Sequence, residues 1–305
     1  MKHFISLQQI SAKKIYELFA LADKIQAEPA KFSNKLKGKS IGLLFEKPSL
    51  RTRVSFEVGI HQLGAKAIYL SAREVQLGKR EAVADISRTV SGYLDAVILR
   101  TFSHKTLLEF AGASKIPVIN GLTDLLHPAQ GLSDLYTIYK KKKDLKKVKI
   151  AFIGDGNNVC HSLLLGAAQL GLQIWVACPS GFEPKGSVKK EVLKIAKRTK
   201  AAITFSHDPK YTAKDTDVLY TDVWVSMGAE DEADMRKKAF KGFQINSKVL
   251  KMAKKDCIVL HCLPAHRGEE ITDKVIDGKN SLVFKQAENR LYVQKAIMLS
   301  LFKQG

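Results

Sequence analysis

The stretch "SIGLLFEKPSLRTRVSFEVGIHQL", Ser40–Leu63, holds the pattern on which the fold is read. A short, nearly continuous apolar run, Ile41 to Phe45, is followed at once by a charged and hydroxylated loop. Such a run reads as a strand buried on both faces. Pro48-Ser49 then reads as a helix start, because serine is a favoured N-cap. Val54 with Val58, and Phe56 with Ile60 and Leu63, carry the helical spacing onward. A helix N-terminus has unpaired N–H groups and a partial positive charge, so it suits an anion. Ser49 and Thr52 add hydroxyls there. Arg51 and Arg53, two apart, point to different sides of a helix, which leaves one of them to face the anion. The competing reading is an ordinary capped helix with solvated arginines. Arg100, at the end of another strand, tips the balance toward an anion site.

The same strand–loop–helix grammar recurs along the chain. In the first half "SIGLLFE", "KAIYLS", "DAVILR" and "IPVING" read as strands. In the second, "VKIAFIG", "LQIWVAC", "AAITFS", "DVLYTD" and "CIVLHC" do, with "SLVF", Ser281–Phe284, as a further candidate. Helical patterns lie between them, as at Val54–Leu63, Ala82–Tyr93 and His161–Leu170. Alternation of this kind implies an α/β fold with parallel sheets. The lysine-rich segment Tyr139–Lys149 marks the expected boundary between two doubly wound domains of ordinary size. Amphipathic helices are expected at both ends of the chain, packing across the domains.

The polar clusters are not scattered. "EKPSLRTR", Arg100-Thr101-Phe102, "HPAQ" (His127–Gln130), "GDGNN" (Gly154–Asn158), "DVWVSMG" (Asp222–Gly228) and "HCLPAHRGEE" (His261–Glu270) each follow a strand. In open parallel sheets ligands bind beyond the carboxyl ends of strands. The coincidence predicts one active-site cleft between the two domains. "GDGNNV" half-resembles a dinucleotide fingerprint, but Val159 stands where a third glycine belongs, and "LQIWVACP" ends without the acid that would hold a ribose. A nicotinamide enzyme is therefore disfavoured. Asn157 and Asn158 offer amides to a ligand or, equally, to their own turn. His127, fixed in extended conformation by Pro128, could join Gln130 in donating to one carbonyl oxygen.

The chain has 305 residues, 45% of them hydrophobic, enough for large cores. Cys160, Cys178, Cys257 and Cys262 form no C-x-x-C pair, which argues against structural zinc or a disulfide framework. The formal charge is +20, but the lysines are spread over solvated helix faces such as "VKKEVLKIAK". No aromatic-interleaved basic strand accompanies them. A basic nucleic-acid-binding protein is the alternative from another class, supported by charge alone. Met1-Lys2-His3-Phe4-Ile5 lacks the apolar run of a signal peptide, and no stretch reads as a membrane span. A cytoplasmic protein is expected, with no membrane partner.

Taken together, these motifs resemble the carbamoyltransferases, most closely their ornithine branch. The family's S-T-R-T-R appears as Ser49-Leu50-Arg51-Thr52-Arg53, with leucine replacing the first threonine, and H-P-x-Q appears as His127–Gln130. D-x-W-x-S-M-G is intact at Asp222–Gly228, and H-C-L-P at His261–Pro264. The resemblance covers essentially the whole chain. It implies carbamoyl transfer from carbamoyl phosphate to the side-chain amine of L-ornithine, without a metal or other cofactor. It implies a carbamoyl phosphate-binding domain over 1–140, an ornithine-binding domain over 148–285, and a last helix over 286–305 returning to the first. Carbamoyl phosphate would be held by Ser49, Leu50, Arg51, Thr52, Arg100, His127, Gln130, Cys262, Leu263 and Arg290, with Gln76 reaching a neighbouring subunit's site. Ornithine would be held by Asn158, Asp222, Ser226 and Met227. Arg100, His127 and Cys262 would be catalytic, and a homotrimer or a multiple of it is implied. Leu50 costs the anion loop a hydroxyl but keeps its backbone N–H. Acylated ornithine and putrescine remain alternative acceptors. Lys47, "HCLP" and "DVWVSMG" speak against aspartate.

Overall fold

Among the described residues nine strands form two wholly parallel sheets, and the order of the strands in each decides where loops can gather. The computed structural model describes residues 1–142, 144–226, 228 and 230–302. The chain divides into two units: Met1–Leu132 together with Asn289–Gly305, and Ser133–Glu288.

In the first unit, β1 (Ser40–Phe45), β2 (Lys66–Ser71), β3 (Ala96–Arg100) and β4 (Val118–Leu122) align in the order β2-β1-β3-β4. β3 is buried along its whole length and β1 nearly so. This explains their unbroken apolar sequences: with helices on both faces of a parallel sheet, neither side of a central strand meets water. β2 is an edge and is largely exposed. The N-terminus adds to the opposite edge, where Phe4 N–H donates to Val118 O at 2.8 Å and Asn120 N–H to Phe4 O at 2.8 Å. Phe110, Leu107, Ile86 and Leu99 fill one face of this sheet.

In the second unit, β5 (Lys149–Ile153), β6 (Gln173–Ala177), β7 (Ala202–Ser206), β8 (Val218–Thr221) and β9 (Ile258–His261) take the order β7-β6-β5-β8-β9. Helix Asn158–Leu170 is buried almost all round, as its apolar sequence requires. Helix Gly186–Thr199 buries only Val188, Val192, Ile195 and Ala196 and leaves its lysine face outside. Trp224, Phe240, Phe243 and Ile245 pack with Ile153 and Val259 on one side of the sheet. A buried polar knot sits beside β8. Tyr220 Oη donates to Asp134 Oδ2 at 2.9 Å, and Gln286 Nε2 donates to Asp134 Oδ1 at 2.7 Å.

The sequence-based expectation of a strand at Ser281–Phe284 is corrected. Ser281 makes a single parallel bridge to Val259, and Leu282 N–H reaches Val259 O at 2.9 Å. Val283 then opens a helix running to Phe302. The apolar content of "SLVF" serves that helix, which a short run cannot reveal. The helix start read at Pro48-Ser49 is found there: the helix runs Leu50–Gln62 with Ser49 as its N-cap. The four cysteines are buried and form no disulfide.

Gly156 shows how closely the second unit is packed at the end of β5. A Cβ there would lie 2.3 Å from Pro184 N and 2.4 Å from Glu183 C, both backbone atoms that cannot step aside. Gly156→Ala is therefore expected to lower unfolding stability by ~1–3 kcal/mol through forced backbone shifts. Chemical denaturation of parent and variant measures this, and equal midpoints would refute the contact.

Candidate functional site

Each sheet reverses its strand order once, and polar side chains gather at both reversals. In the first sheet β1 leads to β2 on one side and β3 lies on the other. In the second, β5 leads to β6 and β7 on one side, with β8 and β9 on the other. Loops leaving such neighbours part in opposite directions, which opens space at the carboxyl ends.

In the first unit the loop after β1 delivers helix Leu50–Gln62. Ser49 is extended, and its hydroxyl accepts from Thr52 N–H at 3.3 Å. That cap covers one of the N–H groups lacking intrahelical partners; those of Leu50 and Arg51 precede the first intrahelical bond. Parallel register sets Arg100, the last residue of β3, beside Phe45 at the end of β1. Thr52 is buried, and its Oγ1 accepts from Arg290 Nη2 at 2.7 Å and lies 3.4 Å from Arg100 Nη1. Arg290, from helix Val283–Phe302, is thus brought to a loop 238 residues away in sequence.

The electrostatics here are one-signed. Burial, then the neighbouring Arg290 and Arg51, pushes Arg100 down to about 10. Burial, then Arg290 and Arg100, holds His127 well below the usual imidazole range. At neutral pH the ring is therefore uncharged, while the guanidinium of Arg100 keeps its proton. Arg100 Nε is a buried donor atom with no hydrogen-bond partner, a demand that an incoming acceptor could meet. Gln130 is buried in the first turn of helix Pro128–Lys142, three residues after His127. Arg53 belongs elsewhere: its Nε lies 2.9 Å from Glu57 Oε1, and its guanidinium stacks 3.7 Å from the Tyr69 ring. Of the two arginines in the loop, Arg51 is the one that acts electrostatically on Arg100. The Leu50 side chain points into solvent. Gln76 lies outside this cluster, exposed and left-handed at φ 47°, with its amide donating to Arg73 O.

In the second unit, β8 and β9 pair Thr221 with His261. The next residues, Asp222 and Cys262, are therefore neighbours just beyond the sheet. Cys262 Sγ donates to Asp222 Oδ1 at 2.9 Å, and Asn157 Nδ2 donates to Asp222 Oδ2 at 2.7 Å. Asn157 also caps helix Asn158–Leu170, its Oδ1 accepting from Val159 and Cys160 N–H. Asn158 is the first residue of that helix, Ser226 is half-buried, and Met227 lies outside the described residues. Leu263 follows Cys262 with φ 58°, and a cis bond joins it to Pro264.

Sequence reasoning weighed Asn157 but did not place it in the site, and passed over Asp155. The signal for Asp155 is an acid between two glycines at the end of a strand. It is buried, with Oδ2 3.2 Å from Arg236 Nη1, and Arg236 also donates to Trp224 O and Glu232. Such a set offers an anion-selective cradle in the first unit and an acid–thiol–amide cluster in the second. Asp222, His261 and Cys262 are grouped closely enough to be capable of holding a metal ion, but the thiol already donates to Asp222.

Comparison with known proteins follows the same division. Residues 2–140 match the family model of the aspartate/ornithine carbamoyltransferase carbamoyl-P binding domain. Residues 146–301 match that of the Asp/Orn binding domain. The chain is 50% identical over 305 residues to an ornithine carbamoyltransferase of Caldicellulosiruptor saccharolyticus, with 98% of each chain covered. It superposes with a TM-score of 0.96 and 44% identity on the ornithine carbamoyltransferase of Pyrococcus furiosus, covering 100% of this chain and 98% of that one. For the anabolic ornithine carbamoyltransferase of Campylobacter jejuni the TM-score is 0.94 at 42% identity, with both chains fully covered.

Burial raises the Asp155 carboxyl to about 6 from an ordinary 3.8, against the opposing pull of Arg236. Between those pH values the folded protein binds this proton more tightly than the unfolded chain. The group's contribution is therefore most favourable below the window and declines as pH rises through about 6. Asp155→Asn should abolish that decline. Unfolding free energies of parent and variant, compared at pH 4 and pH 7, are expected to diverge by at most about 3 kcal/mol; parallel profiles would refute the shift.

Proposed function

The chain belongs to the aspartate/ornithine carbamoyltransferase family, and on that premise we infer that it transfers the carbamoyl group of carbamoyl phosphate to the side-chain amine of L-ornithine, giving L-citrulline and phosphate. The observation that carries this reading is the convergence of two buried arginines, Arg100 and Arg290, on the Thr52 hydroxyl, with Arg51 and the uncharged His127 within their electrostatic reach. Like charges held together out of water are unfavourable until an anion joins them. A phosphate at the start of helix Leu50–Gln62 would meet Ser49, Thr52, the Leu50 and Arg51 N–H groups, and these guanidinium ions.

The chemistry asks for little else. An uncharged amine adds to the carbamoyl carbon, the carbonyl oxygen gains negative charge, and the C–O bond to phosphate then breaks. Donors aimed at that oxygen lower the barrier. His127, neutral by burial, and Arg100 are suited to this, with Gln130 on the carbamoyl amide. The Arg51 and Arg290 guanidinium groups stabilise the departing phosphate. Asp222 takes the α-ammonium group of ornithine, assisted by Asn158, Ser226 and Met227, while Cys262 and Leu263 border the amine that reacts. That amine arrives as an ammonium and must release a proton before attack. Holding both reactants in line supplies much of the remaining acceleration. The reaction needs no cofactor.

Residues 1–140 serve as the carbamoyl phosphate-binding domain, 148–285 as the ornithine-binding domain, and 286–305 as a helix returning to the first. The working form is a homotrimer or a multiple of it. Leu50, Val54 and Val58 form an exposed apolar stripe at helical spacing, and Ile68 and Tyr69 lie exposed on the open edge strand β2. A surface of that kind supports burial against another copy. The exposure of Gln76 supports a role for it in a neighbouring copy's site. No helix of the described residues is long and apolar enough to cross a membrane. A cytoplasmic role in arginine biosynthesis accords with the anabolic enzyme of Campylobacter jejuni.

The decisive assay offers carbamoyl phosphate with ornithine, acetylornithine, putrescine and aspartate in parallel and measures ureido product. Ornithine is expected to dominate, and a preference for another acceptor would overturn the substrate assignment. Asp222→Asn should raise the ornithine KM at least ~10-fold, the loss of about 1.4 kcal/mol of charge-assisted binding. Calorimetry should find carbamoyl phosphate binding little changed, and equal loss of both ligands would refute the role.

A further inference from the structure

We propose that His261 and Glu270 form a positioning pair for this reaction: a neutral imidazole, protonated on Nε2, that sets Cys262 and Leu263 where the acceptor amine is received. The inference rests on the functional reading above, but its physical content is local and can be measured separately.

His261 ends β9, and both its side chain and that of Glu270 are fully buried. Its backbone N–H donates to Gln286 Oε1 at 2.9 Å, and Gln286 belongs to the buried knot with Asp134 and Tyr220. The start of the loop is therefore fixed from within the core. The imidazole faces two partners. Leu263 N–H lies 2.9 Å from Nδ1. A backbone N–H can only donate, so Nδ1 carries a lone pair and no proton. The single proton of a neutral ring then sits on Nε2, which is 3.0 Å from Glu270 Oε1. The tautomer follows from these partners.

Glu270 does more than fix that tautomer. The same Oε1 accepts from His266 N–H at 2.6 Å. One ring and one carboxylate oxygen thus hold the backbone at both Leu263 and His266. The segment between needs such support. Leu263 has φ 58°, a left-handed conformation that residues with a Cβ rarely adopt. Conformations of this kind persist where the surroundings over-determine them. Cys262 lies between His261, whose N–H is held by Gln286, and Leu263, whose N–H is held by the ring, and its thiol is thereby aimed at Asp222 Oδ1. Neither His261 nor Glu270 is assigned a ligand, so each acts through Cys262 and Leu263. Protonation of both ring nitrogens would remove the acceptor for Leu263 N–H, which is why the pair must work with a neutral ring.

The side chains of asparagine and glutamine separate the two halves of the device. His261→Asn sets an amide oxygen near the place of Nδ1 and keeps an acceptor for Leu263 N–H. His261→Gln reaches toward Glu270 and leaves Leu263 N–H without one. In citrulline-forming assays, His261→Gln is expected to lower kcat ~100-fold, the scale of a small misplacement of reacting groups. His261→Asn should stay within about tenfold of the parent, and in both variants kcat should fall by more than either KM rises, because a misplaced reacting group costs the transition state more than ground-state binding. Equal impairment of the two variants, parent-like kcat in both, or a loss confined to KM would overturn the proposal. Should either variant fail to fold, 15N-histidine NMR of the unaltered protein decides: an unprotonated Nδ1 with a protonated Nε2 at His261 supports the pair, and a proton on Nδ1 refutes it. If the unaltered protein makes no citrulline, the substrate reading fails while the NMR result still stands or falls by itself.

Discussion

A parallel strand presents its outgoing loop at one end only, because every crossover must carry the chain back to the same starting edge. That constraint organises all the chemistry of this protein. Ser49 to Thr52 leave β1, Arg100 ends β3, His127 follows β4, Asn157 follows β5, Asp222 follows β8 and Cys262 follows β9. Strand order then selects among the strand ends. The gaps β1/β3 and β5/β8 are where successive crossovers part, so loops there leave room. Register does the fine placement. Thr221 opposite His261 makes Asp222 and Cys262 adjacent, and Phe45 opposite Arg100 puts a guanidinium beside the capped helix.

The two units solve opposite electrostatic problems with the same architecture. The first concentrates positive charge out of water, and the lowered pKa values of Arg100 and His127 are the signature of that concentration. Protein stability gains nothing from such an arrangement, so its reward lies in binding an anion. The second unit holds its acids with donors of its own. Asp222 accepts from an amide and a thiol, and Asp155 faces Arg236. A carboxylate already oriented by neutral donors keeps its charge available for a cation, which suits an amino-acid acceptor.

Much of the fold was legible in the sequence for a simple reason. Central strands buried on both faces must be apolar without alternation, and β1, β3, β5 and β8 carry such runs. The exception is instructive. Ser281 does bridge to Val259, but Val283 begins a 20-residue helix, and four apolar-flanked residues do not distinguish the two states. In the site, Ser49 was readable as a cap from its place before a periodic segment. Arg290 is different: a helix surface residue like any other by pattern, it entered through motif resemblance, and its contact with Thr52 spans 238 residues. Asn157 was passed over for Asn158 because adjacent amides look alike until the helix start is known.

The amino-acid sequence by itself determined the element types, the ends of the strands at which polar residues collect, and the excess of positive charge. These depend on local periodicity, capping and composition, which need no partner to be expressed. Tertiary structure alone decided which strand ends lie side by side, that Arg100 and Arg290 converge on one threonine hydroxyl, and that the proton of His261 belongs on Nε2. Those outcomes rest on register and on groups far apart in the chain, and their energies exist only once water has been excluded between them.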